Sequence, residues 1–227
     1  MISTAFKATV RCMPLALVLG TALFTSACGG GGSSAGVPSY GGDLVPGSVA
    51  MSVTNVVTIT TNYGVINIGL DAAHAPISSA NFLSYVKSGF FVGTLFHRVV
   101  PGFVVQGGGY SDVNGSYTLK ATGASIALES RNGLSNLAYT LGMARSSDPN
   151  SANSQFYVNL VNNASSLDYP ASDNAGYAVL GQILDPASIN VINAIAQVPV
   201  ATIVVSGASM SNWPVADVTI QAAVQTQ

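Results

Sequence analysis

The chain has 227 residues, of which 48% are hydrophobic and only 7% charged, with a formal net charge of −2. This length supports one domain with a sizeable core, and the lack of any basic cluster argues against nucleic acid as a partner. So low a charge fraction raises the question of a membrane span, but the only long apolar run, residues 13–24, is too short to cross a bilayer.

The N-terminus reads as a processing signal. Lys7 and Arg11 supply positive charge, residues 13–24 an apolar stretch, and small residues lead to Cys28. Leu23-Phe24-Thr25-Ser26-Ala27-Cys28 resembles a lipoprotein box, in which Cys28 becomes the acylated first residue of the mature chain. Thr25 stands where that motif prefers Leu, Val or Ile, and ordinary signal cleavage after Ala27 is the alternative. The expected organisation is a lipoprotein signal over residues 1–27, a flexible linker over 28–52 and a folded domain over 53–227. The run Gly29-Gly30-Gly31-Gly32-Ser33-Ser34 has the composition of a coil-like tether. Cys12 leaves with the signal and Cys28 carries lipid, so no disulfide remains to support the domain. Gly29 after Cys28 fits outer-membrane sorting on the periplasmic side of a two-membrane organism; a soluble periplasmic protein is the alternative.

Within the domain, residues 56–60 and 65–70 alternate like strands, and Asn62-Tyr63-Gly64 joins them as a hairpin. Residues 76–88 form the first helix. Pro76 sits near its start, Phe82, Leu83 and Val86 recur at helical spacing, and Gly89 ends it. Short strand candidates follow at 103–106, 139–144, 155–160 and 177–180. A second helix runs over 186–197, with Ile189, Ile192, Ile195 and Ala196 on one side and Pro199 beyond it, and a last strand candidate covers 218–220. Many short strands with two lone helices suggest a mainly β protein, a closed barrel with helices over its ends.

Metal chemistry finds little support, because His74 and His97 are the only histidines and the domain has no cysteine. Gly107-Gly108-Gly109 lacks the Lys-Ser/Thr pair of a phosphate loop, and no Gly-x-Ser-x-Gly signals a serine hydrolase. No cofactor is called for.

The informative block is Phe96-His97-Arg98-Val99-Val100-Pro101-Gly102-Phe103-Val104-Val105-Gln106-Gly107-Gly108-Gly109. It resembles the signature of the cyclophilin family. Gly142-Met143-Ala144-Arg145 with Ser154-Gln155-Phe156-Tyr157 forms a second matching block. Leu167-Asp168 followed by Gly176-Tyr177-Ala178-Val179-Leu180-Gly181 forms a third. The three stand in register from about Val56 to Ile220. The resemblance implies a closed, antiparallel, eight-stranded barrel capped by two α-helices. It also implies a monomeric peptidyl-prolyl cis/trans isomerase acting on proline-containing segments, with the membrane reached through the lipid alone.

Such a reaction needs neither nucleophile nor metal. Amide resonance sets a barrier of roughly 18–20 kcal/mol, and rotation without help takes tens of seconds or longer. An apolar slot for the proline ring, and a donor that favours the twisted amide over the planar one, lower that barrier. By the resemblance, Arg98 is that donor, bonding the lone pair that the proline nitrogen regains. Gln106 holds the substrate backbone, and Phe103, Val104, Tyr157, Leu167 and Tyr177 line the proline pocket. Ala144, Arg145 and Gln155 lie along the substrate groove. His97 fits a catalytic role and a buried, orienting imidazole equally well. Two departures stand out. Ser166 replaces the family's Trp or Phe on the pocket rim, and Tyr157 replaces the usual Phe and brings a hydroxyl that needs a partner. A proline-peptide-binding or chaperone module without turnover, and an unrelated barrel holding a small apolar ligand, are the competing readings.

Overall fold

A computed structural model describes residues 47–170 and 175–227; the signal and lipidation site expected around Cys28, and most of the expected linker, lie outside the described residues. The first hairpin forms as the alternation predicts. β1 (Asn55–Thr61) and β2 (Gly64–Leu70) pair antiparallel, and Val57, Ile59, Ile66 and Ile68 point into the core. Next come α1 (Pro76–Lys87), β3 (Thr94–Val100), β4 (Val104–Val113), β5 (Ser116–Leu119), β6 (Thr140–Met143) and β7 (Phe156–Asn159). They are followed by α2 (Ala164–Leu167), β8 (Val179–Ile183), α3 (Pro186–Ile195), β9 (Val200–Val205), β10 (Ala208–Pro214) and β11 (Ile220–Gln225).

Eight strands run in the order β11-β1-β2-β8-β6-β7-β4-β3, every pairing antiparallel, with β5 added beside β4. The two ends of this path nearly meet. Gly93 N–H donates to Ile220 O at 2.8 Å and Phe96 N–H to Val218 O at 2.9 Å, and Leu95 bridges Thr219. The sheet is therefore an almost closed barrel, as expected. Val218 serves this seam while the strand proper begins at Ile220, two residues later than the sequence suggests.

Among the described residues three helices accompany the barrel rather than two. The additional one, α2, is four residues long, too short to show a helical period. α1 has Pro76 in its first turn and receives its cap from far along the chain. The Glu129 carboxylate accepts the backbone N–H of Ile77 and of Ser78, at 3.0 and 2.7 Å, and the Ser78 hydroxyl at 2.6 Å. α3 is capped locally by Asp185, which accepts Ser188 N–H at 2.8 Å. Also absent from the strands expected of the sequence are β3, β5 and the β9–β10 hairpin. That hairpin places Ser206 and Gly207 of its turn at positive φ, the geometry of a tight two-residue hairpin, and it carries buried Trp213 against Leu95 and Val205.

The core centres on Phe82, Phe91, Phe96 and Phe156, whose ring centroids lie 5.1–5.7 Å apart in tilted or edge contacts. Such pairs add about 0.5–1.5 kcal/mol each beyond the area they bury. β4 passes directly against them. A β-carbon on Gly108 would lie 2.9 Å from Phe91 and Phe156, one on Gly107 2.9 Å from Phe96, and one on Gly109 2.6 Å from Gln155 Cγ. The glycine run is a packing device that lets a strand lie on aromatic rings.

Candidate active site

Strict alternation along β3 would turn Arg98 to the same side as Phe96, into the core. The β3–β4 register prevents this. Phe96 lies opposite Gly107 and Arg98 opposite Gln106, so His97 is an extra residue in a bulge. A bulge shifts the phase of every side chain after it. Val99 consequently enters the core with Phe96, while Arg98 turns into a surface cavity of about 240 Å³.

The floor of this cavity is apolar: Val104, Tyr157 and Leu167 are buried together, with Phe103, Ala144 and Tyr177 packed around them. It is smaller than the pockets that enclose whole small-molecule ligands and has the character of a slot for one compact ring. Phe103 O accepts Leu160 N–H and Asn163 Nδ2, and Tyr177 N–H donates to Leu167 O at 2.8 Å, so the walls are held by backbone. Arg145 lies 4.2 Å over the Tyr177 ring and donates through Nε and Nη2 to Gly176 O, fixing that wall in place.

Arg98 and Gln106 edge the slot, and Gln155, outside the cavity lining, stands behind Gln106. Arg98 Nη1 donates to Gln106 Oε1 at 3.3 Å, and Gln106 Nε2 donates to Gln155 Oε1 at 3.0 Å. Burial lowers the Arg98 pKa from its ordinary value, an effect opposed by Tyr177. Among the described residues the only ion pair is His74–Asp71, so no carboxylate neutralises Arg98. A half-buried guanidinium with one long neutral hydrogen bond keeps donors for a ligand.

His97 does not line the cavity. It is 2% exposed and packs 4.7 Å from Tyr110 and 5.7 Å from Trp213, on the side covered by the β9–β10 hairpin. Burial lowers its pKa to about 4, so the ring is neutral near pH 7, and its Nδ1 has no hydrogen-bond partner. The geometry places it in the core and outside the cavity lining. Ser166 is exposed on α2, beside Leu167 but outside the cavity lining.

Behind the slot, Tyr157 joins a buried polar network whose other members the sequence did not reveal. The Tyr157 hydroxyl donates to Asn136 Oδ1 at 2.7 Å, and Asn159 Nδ2 donates to the same oxygen at 3.1 Å. Asn136 in turn donates through its backbone N–H and Nδ2 to Asp168 Oδ1, both at 2.8 Å, while Ser135 donates to Asp168 Oδ2. Asn163 Nδ2 closes the circuit on Asn159 Oδ1 at 2.8 Å. Burial first, then nearby Tyr177 and Asp168, push the Tyr157 pKa well above its usual value, which keeps the hydroxyl protonated as a donor. The sequence signals were the Tyr157 hydroxyl, which needed a partner, and Asn159, a polar residue inside the apolar run Phe156-Tyr157-Val158-Asn159-Leu160.

Comparison with known proteins agrees with this geometry. Residues 56–225 match the family model described as cyclophilin type peptidyl-prolyl cis-trans isomerase/CLD. The chain is 45% identical over 161 residues to a peptidyl-prolyl cis-trans isomerase of Acinetobacter baylyi, covering 71% of this chain and 81% of that one. It is 40% identical over 132 residues to peptidyl-prolyl cis-trans isomerase B of Escherichia coli, covering 57% and 78%. Among solved structures, a cyclophilin type isomerase of Cryptosporidium parvum, crystallised in the presence of the dipeptide ala-pro, superposes with a TM-score of 0.60 at 26% identity. It covers 76% of this chain and 99% of that one.

Proposed function

The chain belongs to the cyclophilin-type peptidyl-prolyl cis-trans isomerase family, and from that premise we propose that it rotates X–Pro bonds in polypeptides outside the cytoplasm, with Arg98 as donor to the twisted amide. The observation that carries the mechanism is the bulge-directed Arg98 guanidinium, unneutralised by any described carboxylate, at the edge of an apolar slot. Raising a rate of about 10⁻² s⁻¹ to about 10² s⁻¹ requires roughly 5–6 kcal/mol. A charge-assisted hydrogen bond made only in the twisted state supplies about 1.5–3 kcal/mol of it. The slot contributes by holding the ring and removing water from the amide. Gln106, steadied by Gln155, holds the neighbouring peptide group.

In a coupled peptide isomerisation assay, Arg98→Ala is expected to lower kcat by one to two orders of magnitude, with a modest change in peptide affinity. Turnover equal to the parent's overturns the mechanism. The extracytoplasmic setting is supported by Lys7, Arg11, the apolar run 13–24 and the box ending at Cys28. Full-length protein expressed with its signal is expected to partition with membranes, facing the periplasm, and Cys28→Ser to release it or block processing. Mature soluble protein that begins at Cys28 without added lipid mass removes the anchor and leaves the enzyme assignment standing.

A further inference from the structure

On the other side of α2 from the proline slot lies an open groove of about 890 Å³. The short helix is the partition between them. Leu167 faces the slot, and Ala164, Ser165 and Asp168 border the groove. Its crest carries Ser166, which is exposed and small. A hydroxymethyl group cannot wall one space from the other, so an extended chain whose proline occupies the slot has a path over Ser166 into the groove.

The groove has a fixed charge. Asp168, the one carboxylate on its described walls, is fully engaged by Ser135 and Asn136. Arg131, the one cation on those walls, is exposed, and its guanidinium lies 3.7 Å over the Tyr169 ring. Among the described residues it has no ion-pair partner. Stacking uses the face of the guanidinium and leaves its edge donors for a carboxylate, held in one plane before any ligand arrives.

We propose that this groove is a second subsite for the substrate, and that Arg131, positioned by Tyr169, selects proline segments flanked by an Asp or Glu side chain. The assignment rests on the isomerase reading of the adjoining slot and adds a substrate class to it: extended, acidic polypeptide segments. The pair is exposed, so its effect is moderate and screened by salt.

The test is a peptide series with a single X–Pro bond and either Glu or Gln at each of the five positions on both sides, with exchange rates read by NMR without a coupling protease. At the best position, Glu is expected to raise kcat/KM about three- to fivefold over Gln. That ratio is expected to shrink toward one in 0.5 M salt and in Arg131→Gln, and to fall part of the way in Tyr169→Leu. A ratio near one at every position in the parent, or one that survives Arg131→Gln, overturns the proposal. Titration of the same Glu and Gln peptides, followed at the Arg131 side-chain resonance, decides the matter independently of turnover. Tighter binding of the Glu peptide with a shift at Arg131 supports the subsite even in a protein that isomerises nothing, an outcome that would defeat only the isomerase reading. Equal binding without a shift removes the subsite.

Discussion

Tyr157 and Asn136 meet through a 2.7 Å hydrogen bond that ties the floor of the proline slot to a buried polar network. The same ring lies so close over Gly142 that a β-carbon there would overlap Tyr157 Cζ and its hydroxyl. The hydroxyl is therefore committed to the network behind the slot. Tyr157→Phe is expected to cost about 1 kcal/mol, a fall of roughly 2–4 °C in Tm, with turnover preserved. Gly142→Ala is expected to disrupt the slot itself. Thermal unfolding and the isomerisation assay check both; a Tyr157→Phe protein as stable as the parent contradicts the account.

The buried imidazole of His97 predicts a pH dependence of stability without one of rate. Desolvation lowers its pKa from 6.5 to about 4. Between those values the unfolded chain binds a proton that the folded one refuses, so stability rises with pH across this window. Conversely, the contribution is complete above about pH 6.5 and is lost as pH falls toward 4, about 3 kcal/mol in all. Denaturant unfolding from pH 7 to 4 should show that loss, and His97→Gln should remove most of it. Turnover should stay level from about pH 6 to 8, because Arg98 remains charged and His97 neutral. A bell-shaped profile there would make His97 a participant.

Ser166 predicts poor inhibition by cyclosporin. The family resemblance assigns the matching aromatic a large share of that cyclic peptide's binding, and Ser166 presents an exposed hydroxymethyl group instead. An aromatic side chain buries roughly 150–250 Å². If a third of that meets the ligand, its loss costs about 1–2 kcal/mol, and a missing indole hydrogen bond adds about 1 kcal/mol. Inhibition should be weaker by roughly one to two orders of magnitude, with Ser166→Trp recovering much of it. Tight inhibition of the unmodified protein would show that another residue has replaced the rim.

Asp185 links α3 to β2 and predicts a local acid sensitivity. Its burial works to raise the pKa, but donors from Ser188, Asn67 and Ala187 outweigh that and bring it below the ordinary value. The stabilisation is present above the unfolded carboxylate pKa and is lost as pH falls through the folded one. Asp185→Ala is expected to cost about 1–2 kcal/mol at pH 7 and progressively less below about pH 4. A penalty that does not change between pH 7 and pH 3 would show that packing, and not the cap, carries it.

Much of the barrel was legible because its signals are local. Val57, Ile59, Ile66 and Ile68 alternate, Pro76 opens α1 and Gly89 follows its end, and the apolar residues 103–106 mark the start of β4. Arg98 was legible as a residue, but its direction was not. Reading outward from Phe96 by twos points it inward, and only the register slip at His97 turns it out. The network behind the slot escaped because Asn136, Asn159, Asn163 and Asp168 meet from different loops and strands, and asparagine in a loop reads as turn chemistry. The β9–β10 hairpin escaped because an irregular register between Met210 and Trp213, with Asn212 at positive φ, breaks the alternation that marks a strand.

The pairing of β1 with β11 places Ile59 opposite Ala223 and Val57 opposite Gln225, so the domain's first strand finds its outer neighbour only in its last. A nascent chain exposes β1 long before β11 exists to cover it. Until then its outer row of backbone groups is an open template for any extended segment nearby, and the nonlocal closure makes the final step slow compared with forming α1 or the first hairpin. Native closure thus waits on the arrival of residues 220–225, and a chain stalled short of them is the form most exposed to proteases and to mispairing with its own copies.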